Sequence, residues 1–176
     1  MTPFWEFSMD IYAKPGVESA CLHLQNRFGA DVSLLLFCCW YGSRYGSLED
    51  DSLPRMISMS RQWAEGVVLP LRRSRSWMKR LSQGGFGQPE LETVAQQTGF
   101  KNLRDDIKQL ELEAERLQHH ALEGLSETFP GHRTPGAGHA GSVRANMYGY
   151  LAACGISAEE ASDYVSVVER AVATAK

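Results

Sequence analysis

The stretch VSLLLFCCWYG, residues 32–42, decides the fold. Its apolar side chains fall on every side of a helical wheel, so as a helix it has no face to offer water and belongs at the centre of a core. A buried strand is the other conformation open to it, because β-branched residues and helix formers are mixed here. Length favours the helix: Asp31 is a suitable N-cap, and the segment runs on to a plausible stop at Gly46. The run falls far short of the ~20 residues a bilayer span needs. Adjacent Cys38 and Cys39 would point about 100° apart on a helix and cannot both face one metal. Zinc sites separate paired ligands by about two to four residues, and Cys21, His23 and Cys154 add no such pair. A bond between neighbouring cysteines would be strained. The thiols therefore read as core, reduced in a cytosolic compartment.

Helical signals extend outward on both sides. Thr2 as N-cap with Pro3 at the first helical position opens a short helix carrying Phe4, Phe7 and Ile11. Val17, Ala20, Cys21, Leu24 and Phe28 share a face of the next, and Gly29 suits a left-handed stop. Ser52 and Pro54 start another helix, in which Pro70 would meet the carbonyl of Gly66 and force a kink or break. Counting straight through it, Trp63, Val67, Leu71, Ser74, Trp77, Met78 and Leu81 form an apolar stripe with Arg61, Arg72, Arg75 and Lys79 roughly opposite. SQGGFGQPE, residues 82–90, reads as a loop. Beyond it Asn102 caps a helix whose Leu103, Ile107, Leu110, Ala114, Leu117 and Ala121 repeat at spacings of four and three. A Gly/Pro-rich linker over 126–142 follows. Two short helices close the chain, the second with Ser157 and Glu160 as a capping box. No alternating strand pattern occurs. The expectation is an all-α, single-domain bundle of about six to seven helices, with a core domain at 1–125, the linker, and a C-terminal helical pair at 143–176.

Net charge is −3 and the pI about 6.0, which argues against a wholesale polyanion binder. The charge is uneven, with +5 over residues 51–89 and −5 over 90–127. MTPFWEFSMD lacks the basic and apolar regions of a secretory signal. The strongest surface feature is RRSRSWMKR, residues 72–80. It is either a solvated face paired with the acidic segment at 105–115 or a docking face for an acidic protein, a phospholipid or nucleic acid. Nucleic acid is disfavoured by the overall charge and the lack of any recognised binding motif.

Enzymatic signatures are absent from the sequence: no GxSxG, P-loop, GxGxxG or HExxH appears. Glu49, Asp50 and Asp51, with Asp105 and Asp106, could hold Mg²⁺ for a phosphorylated lipid or isoprenoid, but lack the Asp-x-x-x-Asp and Asp-Asp-x-x-Asp spacings of such enzymes. At predicted helix N-termini these acids are favoured by the helix dipole alone. His119 and His120 fall on the flanks of the heptad helix and His132 and His139 in the linker, so no nucleophile–base pair assembles. No catalytic residue, metal ligand or cofactor is assigned.

The run FWEFSMDIYAKPGVESACLHLQNRFGADVSLLLFCCWYG, together with VVLPLRRSR and LRDDIKQLELEAE, resembles a family of short proteobacterial proteins of unknown function. The resemblance covers residues 4–125, the N-terminal part being the specific one. It implies a cytoplasmic bacterial protein and transfers no catalytic residue. The expected role is a non-enzymatic protein-interaction module that meets a protein partner, an acidic one by charge complementarity, through Arg61, Arg72, Arg75 and Lys79. Leu103, Ile107, Leu110 and Leu117 are candidates for self-association into a homo-oligomer. The alternatives are an Mg²⁺-dependent phosphorylated-lipid or isoprenoid protein and an RNA-binding accessory protein.

Overall fold

The computed structural model describes residues 3–49, 51–84, 86–129 and 140–174, and it is all-α, with no strand among them. The helices are α1 (Phe4–Tyr12), α2 (Val17–Phe28), α3 (Val32–Arg44), α4 (Ser52–Trp63), α5 (Leu69–Leu81), α6 (Pro89–Ala95), α7 (Thr98–Ser126), α8 (Ala140–Ala153) and α9 (Ala158–Thr174). A π-helical turn, Ala64–Val68, joins α4 to α5. With that rod counted once there are eight helices among the described residues, slightly more than expected. Contacts divide the chain into two compact units, residues 1–60 with 119–176 and residues 61–118, the boundaries falling inside α4 and α7.

In the first unit α3 is the central element, and every residue from Ser33 to Gly42 is buried. Each large apolar side chain so buried contributes about 1.5–3 kcal/mol. Asp31 caps the helix: its carboxylate accepts from the Ser33 and Leu34 amides at 2.9 and 3.4 Å and from the Ser60 hydroxyl at 2.5 Å. The Asp31 amide donates to the Tyr150 hydroxyl of α8 at 2.6 Å. At Gly42 the backbone of α8 comes so close that a Cβ would lie 2.7 Å from Val143 Cα. Asn146 of α8 accepts from the Leu48 amide at 2.8 Å and donates to the carbonyls of Gly46 and Cys38 at 3.1 and 3.4 Å, pinning the loop after α3. Phe4, Phe37, Trp40, Tyr41, Tyr45 and Phe129 pack ring against ring beside these helices.

Several local expectations hold. Gly29 ends α2 at φ 72°, and Ser157 and Glu160 form the capping box, with Ser157 Oγ 2.8 Å from the Glu160 carboxylate. Others need correction. Pro3 is the N-cap of α1 rather than its first helical residue, and Thr2 lies outside the described residues. Asn102 does not cap α7, which begins at Thr98. Residues 89–95, read partly as loop, form α6, with Pro89 in its first turn supplying the fixed φ a helix start accepts. Most of the expected linker, residues 130–139, lies outside the described residues; on either side of it α7 runs to Ser126 and α8 starts at Ala140.

Pro70 does not break the helix, which continues through a π turn ahead of it. The Leu69 amide reaches back five residues to the Ala64 carbonyl, the bond that defines a π turn. α5 resumes directly after it, with Pro70 in its first turn.

Candidate functional site

Residues 61–118 bury little: Val68, Met78, Leu81 and Ala114 are the hydrophobic residues fully enclosed there. Their packing is supplemented by polar contacts. Trp63 Nε1 donates to the Ala114 carbonyl at 2.9 Å. Arg72 donates through Nε to Glu111 at 2.8 Å and through its terminal nitrogen to Glu115 at 2.6 Å, and Arg75 also grips Glu111. Glu111 is only 6% exposed. Burial alone would raise its pKa, but bonds from Arg75 and Arg72 outweigh this and hold it below the usual carboxylate range. The same bond to Glu111 raises the Arg75 pKa.

The four residues of the expected basic face thus have different fates. Arg72 and Arg75 are half-buried against acids of α7, while Arg61 and Lys79 are exposed and make no ion pair among the described residues. The α5 stripe also differs from a straight count. Met78 and Leu81 are buried, but Trp77 is 39% exposed and turns away with Arg73 and Arg80. An α-helical wheel continued through a π turn accumulates an angular error, so a stripe drawn from Trp63 to Leu81 cannot keep one direction.

On α7 the buried positions of this unit are Glu111, Ala114 and Gln118. Of the heptad residues here, Ile107 is half-buried, and Leu103, Leu110 and Leu117 remain 54, 57 and 48% exposed. The other candidate chemistries do not assemble. Glu49 and Asp51 are exposed in one unit, Asp105 and Asp106 are exposed in the other, and Asp50 lies outside the described residues. Among the described residues no group of three or more His, Cys, Asp or Glu could hold a metal ion. Cys21, Cys38 and Cys39 are buried and Cys154 exposed, all as free thiols. Burial pushes the Cys21 thiol up to about 12 and raises Cys38 and Cys39 as well.

His119 corrects another expectation. It is not on an outer flank but buried, its ring stacked on Phe4 at 4.3 Å with Trp5 edge-on at 5.2 Å. His132 and His139 lie outside the described residues.

The sequence signal for the Glu111 clasp was available in part. Arg72 and Arg75 are three residues apart, Glu111 and Glu115 four, so each pair lies on one helix face. What no wheel reveals is that these two faces meet.

A family model described as "Protein of unknown function (DUF2390)" matches residues 3–122. The chain belongs to this family. The matched region holds α1 to α6 and most of α7, including all of residues 61–118, whereas α8 and α9 lie beyond it. Neither the curated proteins nor the solved structures give a match. No helix among the described residues is long and apolar enough to cross a membrane.

Proposed function

We propose that this chain is a bacterial cytoplasmic protein-interaction module without enzymatic activity, and that residues 61–118 carry its docking surface. One observation carries the reading. Of the eight large hydrophobic side chains exposed among the described residues, four lie on α7 within 61–118: Leu103, Leu110, Leu112 and Leu117. Single exposed apolar groups need no explanation; their concentration on one helix supports reading it as a docking surface. The free cysteines suit a reducing compartment.

Leu103, Leu110 and Leu117 lie along α7 at intervals of seven residues, with Ile107 beside them. Seven is the period of one helix wound against another, so the occupant that fits is a helix. A second copy of the chain brings one of identical spacing. Exposed Arg61 and Lys79 supply cations suited to an acidic partner.

Light scattering on the wild-type chain and on Leu103→Gln/Leu110→Gln/Leu117→Gln tests this reading. The expected result is a wild-type dimer and a variant monomer with the same circular dichroism. A wild type that stays monomeric at every concentration, or a variant that dimerises equally well, would overturn it. The part of these cations is tested with Arg61→Glu and Lys79→Glu, because reversing Arg72 or Arg75 would strand Glu111 and confuse binding with folding.

A further inference from the structure

We infer a second binding surface, for single-stranded nucleic acid, on the outward face of α5 and the turn after it. Between Glu65 and Glu90 the chain has five basic residues and no acidic one. Arg72 and Arg75 are neutralised by Glu111 and Glu115. Arg73, Lys79 and Arg80 remain exposed without an ion pair among the described residues. Arg73, Trp77 and Arg80 recur at i, i+4 and i+7, which places them on one face of the helix.

Phe86 completes the arrangement. Its ring lies 5.6 Å from that of Trp77, centroid to centroid, with the planes inclined by 33°. The Arg80 guanidinium carbon sits 5.5 Å from the centroid of the same ring. Phe86 is thus in contact with both Arg80 and Trp77, and Trp77 is 39% exposed. A nucleobase packed on the exposed part of Trp77 joins this cluster of rings and cation. Arg73, one turn back along the helix, is positioned to meet the adjoining phosphate. Stacking on an aromatic platform beside cations is the recognition mode of single strands, because every base has a π face.

The geometry disfavours other anions. Bases in a duplex are already stacked on one another, so a double strand could use the arginines but not the rings. A membrane-surface helix must turn its apolar face to the lipid, whereas α5 keeps Met78 and Leu81 buried and has only Trp77 to insert. An acidic peptide would pair with the cations and leave the rings unused. Glu90 and Glu92 on α6, which packs against α5, limit the favourable field to the Arg73–Arg80 side.

The test uses the full chain and a fluorescein-labelled oligouridylate of about ten nucleotides, within the site size of single-strand binders. Anisotropy should rise on titration, with affinity falling on a log–log salt plot at a slope of about −1 to −2 for two phosphate contacts. Tryptophan fluorescence should be quenched in the wild type and not in Trp77→Phe, since Trp77 is the one tryptophan of the exposed class. Trp77→Ala should weaken binding about tenfold, the worth of one stacked base. Trp77→Phe, which keeps a ring, should retain most of the affinity, and Arg73→Ala should flatten the salt slope. No binding at low salt, equal binding of a duplex of the same length, or equal affinity in Trp77→Ala would overturn the inference. So would preference for phosphatidylglycerol vesicles over the oligonucleotide, which would assign the patch to a lipid surface. None of these variants touches the leucine line of α7, so failure here and failure of self-association are read separately.

Discussion

Lowering the pH should destabilise this protein through His119, and the size of the effect follows from where that ring sits. It is 5% exposed, packed between Phe4 and Trp5, and its Nδ1 has no hydrogen-bond partner among the described residues. Burial first, and then the neighbouring His120, push its pKa down from 6.5 to about 3. The folded state therefore resists a proton that the unfolded chain takes up readily. Stability is fully present above the unfolded value and is lost as pH falls toward the folded one, at about 1.4 kcal/mol per pH unit. From well above pH 6.5 down to pH 5 the loss comes to about 2 kcal/mol, a sizeable part of the roughly 5–15 kcal/mol that holds a typical domain together. Carboxylates contribute little in that window. The assay is urea unfolding across it, for the wild type and for His119→Phe, which keeps a ring on Phe4 but cannot titrate. The variant should show a shallower fall by that amount. Parallel pH profiles for the two proteins would refute the argument.

Other substitutions probe other contacts. Glu111→Gln removes the charge that Arg72 and Arg75 share; with those side chains 26 and 31% exposed, the loss should be about 2 kcal/mol, below that of a fully buried pair, read from the denaturation midpoint. Because the Glu111 pKa is lowered, its contribution is present above the unfolded carboxylate pKa and disappears as pH falls through the folded one; Glu111→Gln should abolish that acid-side loss. Gly42→Ala places a methyl 2.7 Å from the backbone of Val143 and should cost at least the ~1–3 kcal/mol of an overpacked core, visible as a lowered Tm. With a disulfide reagent such as Ellman's, the native protein should react rapidly at Cys154 alone, and all four thiols should react after unfolding; fast native reaction at Cys38 or Cys39 would contradict their burial.

How much was legible depended on whether a feature is settled within one turn of chain. The burial of α3 was readable because a segment apolar all round has one stable environment. The left-handed end at Gly29 and the box at Ser157 and Glu160 were readable because the atoms that make them are a few residues apart. The face that α7 buries was not. Its sequence offers the leucine seam as the apolar choice, yet Glu111 and Gln118 are enclosed while Leu103, Leu110 and Leu117 stay open. The decision rests on arginines nearly forty positions earlier, and a charged residue becomes a core residue only once its counter-ions arrive. Likewise Pro70 announced an irregularity, but local sequence does not say whether a helix will break, bend or widen.

The close approach of α3 and α8 separates two kinds of boundary. The family match ends at residue 122, before Val143, Asn146, Met147 and Tyr150, which are all buried. A gene fragment ending there would encode everything by which the chain is recognised and omit one wall of its own core. Gly42 would face solvent in place of a neighbouring backbone, Asp31 would lose the Tyr150 hydroxyl, and the loop held by Asn146 would come free. In this protein the unit of kinship is shorter than the unit of folding.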